Sequence, residues 1–119
     1  MRQILDQYVK SFSANENKAT ATVVFDPDFV GFQGHFPDNP ILPGVCQISL
    51  VLAVADRLTQ SRQSLCEIVN AKFLSVVQPN QPLTVECSLA DHILRAKLVT
   101  QNERVAEFKL RVKSGVDDG

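Results

Sequence analysis

The length, composition and charge of the chain exclude several classes of protein. A chain of 119 residues and 13.2 kDa has room for one hydrophobic core, which predicts a single domain over 1–119, loose at its first few residues and in a tail at 114–119. The 45% hydrophobic and 21% charged residues exclude a disordered chain. The formal charge of -1 supplies no positive field for nucleic acid, which we do not expect as a partner.

Hydropathy and cysteine content bear on where the protein works. The longest apolar run, 45–55, is shorter than the roughly 20 residues that a membrane-spanning helix needs. The first ten residues carry three charged side chains, unlike a secretory signal. The three cysteines, Cys46, Cys66 and Cys87, are widely spaced among apolar neighbours, which indicates reduced core thiols. We expect a cytoplasmic protein that has no membrane partner.

The predicted elements begin with two strands, at 8–13 and 18–25, in which apolar and polar residues alternate. One helix follows. It begins near Pro43, whose fixed φ suits the first helical position, and it ends at 58–60. Between 45 and 55 the helix is apolar on nearly every side, so it must be covered by a curled sheet and by a second copy or another element.

Four more strands are predicted after the helix, at 66–77, 83–89, 94–99 and 104–113. The alternation is clearest in the last of them, where Phe108, Leu110 and Val112 alternate with charged residues. The order of strand pair, buried helix and four long strands predicts an α+β fold in which one antiparallel sheet wraps around a central helix.

The segment before the helix carries the candidate chemistry. Three prolines in seven positions, 37–43, stiffen it and present His35 in a fixed place. At Gly44 the chain enters the helix, whose first N–H groups are unpaired at the positive end of the helix dipole. A histidine beside such amides can remove a proton α to a carbonyl while the amides stabilise the enolate-like oxygen. On these residues alone, a rigid connector remains the alternative interpretation.

The segment 35–45 reads HFPDNPILPGV. It resembles the HFPxxPxxPGV signature of the (3R)-hydroxyacyl-acyl carrier protein dehydratases of bacterial fatty acid synthesis. The likeness extends to 29–34 before this segment and to 71–83 after the helix, so it covers nearly the whole chain. The resemblance implies the hotdog fold, a sheet wrapped around a long helix, and dimers whose active sites lie between the subunits.

The resemblance also implies roles for individual residues. His35 matches the catalytic histidine, and Gly44 matches the glycine whose N–H binds the thioester carbonyl. At the helix position where the family has an acidic residue, supplied from the partner subunit, this chain has Ser49. Serine is too weak an acid to replace a carboxylic acid, so Ser49 and Gln47 are predicted to position water and the leaving hydroxyl. The residues expected to bind substrate are Phe36, Pro43, Val45 and Gln47.

These residues predict a lyase that removes water from (3R)-hydroxyacyl thioesters to give trans-2-enoyl products, in fatty acid or polyene/polyketide-type synthesis, with no cofactor or metal. Two alternatives stay open: a non-catalytic acyl-binding subunit of a hotdog heterodimer, and an acyl thioesterase. The expected carrier of the substrate is acyl carrier protein or CoA. The expected assembly is a homodimer or higher oligomer, or a heterodimer with a homologue.

Overall fold

The computed structural model describes residues 1–32, 41–101 and 103–115. The helices and strands within these ranges follow one another in the order α1 (Arg2–Asp6), β1 (Val9–Asn15), β2 (Lys18–Val23), α2 (Gly44–Thr59), β3 (Gln63–Phe73), β4 (Leu83–Ala90), β5 (Ile93–Thr100) and β6 (Glu103–Ser114). A single 3-10 turn at Val30–Phe32 precedes α2. The predicted helix and six strands are therefore present, and α1 is an addition to them.

The strands form one antiparallel sheet in the order β1-β2-β4-β5-β6-β3. The alternation in β5 and β6 buries one face, because Leu94 and Leu98 of β5 and Leu110 of β6 are each 0% exposed. The helix α2 packs on that face and contacts β2, β3 and β4. The predicted α+β architecture, a sheet around one main helix, is confirmed.

The side of α2 that the sheet leaves open is covered by α1. The six consecutive residues from Leu50 to Ala55 are all buried within one chain, so every side of the helix is covered. Leu5 of α1 is 0% exposed, and Arg2 lies 3.1 Å from Asp56 of α2. The covering part is thus another element of the same chain, and the prediction of a loose N-terminus was wrong.

The strand β3 lies at the edge of the sheet and ends earlier than predicted. It pairs only with β6 among the described strands, and after Phe73 the N–H groups of Leu74 and Ser75 both bind the carbonyl of Val105 at 2.8 and 3.1 Å. The chain therefore leaves the ladder at Phe73, four residues before the predicted end. Several apolar side chains of β3 remain substantially exposed: Leu65, Ile68, Val69 and Phe73.

The C-terminal strand β6 extends further than predicted. It includes Ser114, whose hydroxyl accepts a hydrogen bond from Gln63 Nε2 at 2.8 Å. This strand therefore reaches into the segment predicted as a tail, and residues 116–119 lie outside the described part of the chain. Neither α1 nor α2 has the length and hydropathy of a membrane-crossing helix.

The cysteines differ in burial. Cys46 and Cys87 are buried, as predicted, whereas Cys66 is exposed. The prediction for Cys66 was wrong because its apolar neighbours belong to the edge strand β3, whose outward residues have no further strand to cover them. Burial raises the pKa of the Cys46 thiol and raises the pKa of Cys87 to about 11.

Alkylation should follow this difference. At pH 8, and at a protein concentration low enough to give single folded chains, iodoacetamide should modify Cys66 and reach Cys46 and Cys87 only after unfolding, because the thiolate is the reacting form and a thiol of pKa about 11 is only about 0.1% ionised there. Peptide mapping by mass spectrometry gives the modified positions. Modification of Cys46 or Cys87 in the folded protein at the rate of Cys66 would contradict the burial described above.

Candidate functional site

The predicted site residues within the described chain lie in the first turns of α2. Pro43, Gly44, Val45 and Gln47 surround the start of the helix, and Ser49 follows further along it. The predicted catalytic His35 and the predicted substrate-binding Phe36 lie outside the described residues.

The start of α2 presents two backbone donors. Pro43 is the residue before the helix, with φ -63 and ψ 152 and no side-chain cap, so it stands one position before the helical position predicted for it. Its carbonyl accepts hydrogen bonds from the N–H groups of Cys46 and Gln47 at 3.0 and 3.1 Å. The N–H groups of Gly44 and Val45 have no acceptor within 1–32, 41–101 and 103–115.

Charge and exposure favour an anionic oxygen at this helix end. The first turn of α2 contains no acidic residue, so no carboxylate of that turn neutralises the positive end of the helix dipole. Val45 is 72% exposed, and Gly44 has no side chain to shield its amide. Two unpaired N–H groups at an uncapped helix start are a suitable binding site for a carbonyl oxygen that gains negative charge.

A close aromatic contact favours a glycine at position 44. A Cβ atom on Gly44 would stand 2.8 Å from Cζ of Phe73, closer than carbon atoms pack without displacement. The ring belongs to the last residue of β3, so this contact joins two elements that are distant in sequence. The sequence did not indicate Phe73 as a residue beside the site. The segment 71–83, which contains it, contributed only to the family resemblance.

Gln47 places a buried acceptor next to the helix start. Its side chain is 3% exposed, and Nε2 donates to the carbonyl of Leu42 at 3.2 Å. Because a backbone carbonyl can only accept, this bond fixes which end of the amide is the oxygen. No donor among the described residues reaches Oε1, and leaving such a group unpaired costs about 1–3 kcal/mol.

Ser49 faces a different region from Gln47. Two helical positions separate the residues by about 200° around the axis, and Ser49 lines a groove of about 530 Å³ together with Arg2, Arg62 and Leu65. None of the described residues that line this groove is acidic. Within one chain, the predicted Ser49 and the N–H of Gly44 are therefore not brought together.

Asp56 lies two turns beyond Ser49 on the same helix, and its carboxylate contacts two neighbouring elements of the chain. Its carboxylate pairs with Arg2 at 3.1 Å and accepts a hydrogen bond from the backbone N–H of Gln63 at 2.7 Å. These contacts fasten α1 and the start of β3 to the helix. The carboxylate of Asp56 is therefore already paired within its own chain. Within the described ranges, no group of three or more His, Cys, Asp or Glu residues is placed to hold a metal ion.

An antiparallel sheet packed around one main helix is the arrangement of the hotdog fold. The family model of the ApeI-like proteins, described as ApeI dehydratase, matches residues 11–113. The chain belongs to this ApeI-like dehydratase family, which confirms the resemblance found in the sequence.

Several relatives of known name are dehydratases. The 3-hydroxyacyl-acyl-carrier-protein dehydratase FabZ of Geobacter metallireducens is 34% identical over 97 residues, a match covering 65% of this chain and 65% of that protein. The Geobacter relative is thus matched over less than two thirds of its length. FabZ of Caldicellulosiruptor saccharolyticus is 28% identical over 119 residues, covering 90% of this chain and 84% of that protein.

Solved structures agree with the fold. A chain of the dehydratase heterocomplex ApeI:P from Xenorhabdus doucetiae superposes with a TM-score of 0.81 at 26% identity, covering 87% of this chain and 95% of that one. A hypothetical thioesterase from Streptococcus pneumoniae, solved with coenzyme A, has a TM-score of 0.66 at 8% identity and covers 97% of this chain and 95% of that one. The second likeness shows a common fold alone. The predicted hotdog fold is confirmed.

Proposed function

We propose that this protein removes water from (3R)-hydroxyacyl thioesters, carried on acyl carrier protein or CoA, to give trans-2-enoyl thioesters. The observation that carries the proposal is the start of α2, where the N–H groups of Gly44 and Val45 have no acceptor among the described residues. The dehydratase motif runs directly into this helix end. Membership of a dehydratase family and the FabZ relatives support the same reaction class.

The reaction follows from what each group can do. The thioester oxygen accepts hydrogen bonds from Gly44 and Val45, which stabilise the charge that it gains by about 3–4 kcal/mol if they act like other oxyanion donors. His35 removes a proton from C2, the electron pair forms the C2–C3 double bond, and the C3–O bond breaks. The proton held by His35 then joins the departing hydroxide, so that one water leaves and no oxidant or reductant is consumed.

Gln47 is the group that we assign to the 3-hydroxyl. Its buried Oε1 is fixed in direction by the bond from Nε2 to Leu42 and has no donor within the described chain. A substrate hydroxyl supplies the missing donor, so binding pairs an acceptor that has no partner among the described residues. Pro43, Val45 and Phe36 are proposed to line the adjoining part of the substrate site.

Ser49 is assigned to the site of a second subunit. It faces a groove away from Gln47, which supports a contribution across an interface in place of one within its own chain. There its hydroxyl would hold the leaving water by hydrogen bonds. It cannot supply a proton as a carboxylic acid does.

The edge strand β3 is the surface that we propose for dimer formation. Leu65 and Ile68 of this strand are 39% and 48% exposed, and an unpaired edge with apolar side chains is suited to pairing with another chain. The partner is a second copy or a homologue. The likeness to the ApeI:P heterocomplex supports a heterodimer with a homologue.

We also propose a cytoplasmic location, which action on carrier-bound thioesters supports.

A non-catalytic acyl-binding subunit is the second candidate function. Ser49 in place of the family's acid favours it, because a heterodimer can draw its acid from the other subunit. In that arrangement this chain binds the thioester at Gly44 and completes a site with the homologue. The thioesterase alternative has no comparable support, since the likeness to the thioesterase structure shows the fold alone.

Mass spectrometry of a 3-hydroxyacyl carrier protein separates these functions. Incubation with this protein alone should give a product lighter by one water. Product that forms only when a homologue with a carboxylate at the position of Ser49 is added would indicate the acyl-binding subunit. Release of free thiol would indicate a thioesterase. No change in any of these incubations would contradict both proposed functions.

The variant Ser49→Glu tests the same point within this chain. It restores the acid of the family, so its rate of water loss should exceed that of the wild type in the same assay. Ser49→Ala should reduce the rate only modestly, because it removes a hydrogen-bonding group and no proton donor. An unchanged rate in both variants would contradict the assignment of Ser49 to the reaction site.

A further inference from the structure

The aromatic ring of Phe73 lies directly against the glycine that begins α2. A Cβ atom on Gly44 would be 2.8 Å from Cζ and 2.9 Å from Cε1 of this ring. The space where the side chain of residue 44 would stand is therefore filled by the ring. Because Gly44 N–H is one of the two unpaired donors at this helix start, the ring also borders the place where an acceptor must approach.

The ring of Phe73 is packed on one side and exposed on the other. Phe108 of β6, itself 3% exposed, meets it edge-on with ring centroids 5.5 Å apart. The next residue, Leu74, binds the carbonyl of Val105 through its N–H at 2.8 Å, which fixes the backbone there. Even so, 53% of Phe73 is exposed. A side chain that is packed on one side and still half exposed forms an apolar wall beside the helix start.

We infer that Phe73 determines the acyl specificity of the thioester site, because its ring excludes acyl groups that carry a substituent on C2. This inference rests on the proposed function only in placing the thioester oxygen on the N–H of Gly44. An oxygen bound there at about 2.9 Å from the nitrogen brings C1 and C2 alongside the ring. A hydrogen atom on C2 fits against the ring, whereas a methyl group competes with it for the same volume.

The expected size of the effect follows from the volume involved. Rejection of one extra methyl group by a packed apolar wall amounts to about 10-fold to 200-fold in affinity. In Phe73→Ala the wall recedes, so the branched acyl group gains room while the unbranched group loses a packing surface. The ratio of the two affinities is therefore the quantity that reports on Phe73, and it should fall from about tenfold or more to near one.

Calorimetric titration with butyryl-CoA and 2-methylbutyryl-CoA measures this ratio. Both thioesters are saturated and have no 3-hydroxyl, so no water can be lost, and their common CoA part cancels in the ratio. Leu74→Ala is the matched control, because Leu74 is 55% exposed but lines a groove with Lys97 and Val99 of β5 instead of contacting Gly44. The wild type and Leu74→Ala should both prefer butyryl-CoA, and Phe73→Ala should lose the preference.

Each outcome decides the inference. A preference that persists in folded Phe73→Ala, a wild type without preference, or a protein that binds neither thioester would overturn it. If Phe73→Ala fails to fold, Phe73→Leu takes its place and should give an intermediate ratio, while an unchanged ratio there would also overturn the inference. Turnover of 3-hydroxybutyryl-CoA is measured in parallel. Selective binding without turnover contradicts the proposed dehydration and leaves the role of Phe73 standing.

Discussion

Replacing His35 by alanine should abolish the loss of water from a 3-hydroxyacyl thioester while the protein stays folded. Histidine is the side chain whose ordinary pKa lies closest to neutral pH, which suits it to take and return a proton. Losing a general acid–base group of this kind costs about 10²-fold to 10⁴-fold in rate. The measurement is the initial rate of product formation by mass spectrometry, with thermal unfolding followed in parallel by circular dichroism.

His92 provides the matched control, because it is the second of two histidines in the chain. It is exposed on the turn between β4 and β5 with a φ of 66, and its carbonyl accepts the N–H of Val112 at 2.9 Å. Asparagine tolerates a positive φ, so His92→Asn should keep both the turn and the full rate. Equal rates in His35→Ala and the wild type, or equal losses in both variants, would remove His35 from the mechanism.

The parts of the fold that repeat a pattern could be predicted from sequence. The alternation of Phe108, Leu110 and Val112 gives a strand with one buried face, and the run 45–55 gives a helix that is buried all round. The short helix α1 could not be predicted, because five residues contain too little of a helical period. The helix α1 is stabilised by tertiary contacts, namely the burial of Leu5 and the ion pair of Arg2 with Asp56.

Edge strands are a second limit of sequence patterns. The apolar residues of β3 look the same in sequence whether another strand covers them or not, and only the pairing order shows that β3 lies at the edge. This is why Cys66 was expected in the core and is exposed. Because β3 lies at the edge of the sheet, its apolar side chains stay exposed, and they form the surface that we propose for a partner chain.

The candidate site was predictable only where its parts are adjacent in sequence. Pro43 followed by the apolar run 45–55 predicts the start of a helix, so the unpaired amides there follow from sequence. The contact of Phe73 with Gly44 joins β3 to α2, and no periodicity reports it. The unpaired Oε1 of Gln47 likewise depends on which groups surround it after folding.

An aspartate at position 50 should unfold the chain, whereas an aspartate at position 68 should only separate subunits. Leu50 is 0% exposed within one chain, so Leu50→Asp loses about 2–5 kcal/mol of leucine packing and also buries an unpaired charge. That sum approaches the total stability of a small domain, about 5–15 kcal/mol. Circular dichroism should show loss of the cooperative thermal transition in Leu50→Asp.

Ile68→Asp separates burial within the chain from burial between chains. Ile68 is 48% exposed on the edge strand β3, so a single folded chain solvates the new carboxylate and should keep its thermal transition. A second chain paired along β3 would instead enclose that charge without a partner, at a cost of several kcal/mol. Light scattering should therefore find a dimer for the wild type and a folded monomer for Ile68→Asp. A dimer that survives this substitution would place the subunit interface elsewhere, because no interface along β3 can hold two unpaired carboxylates at its centre.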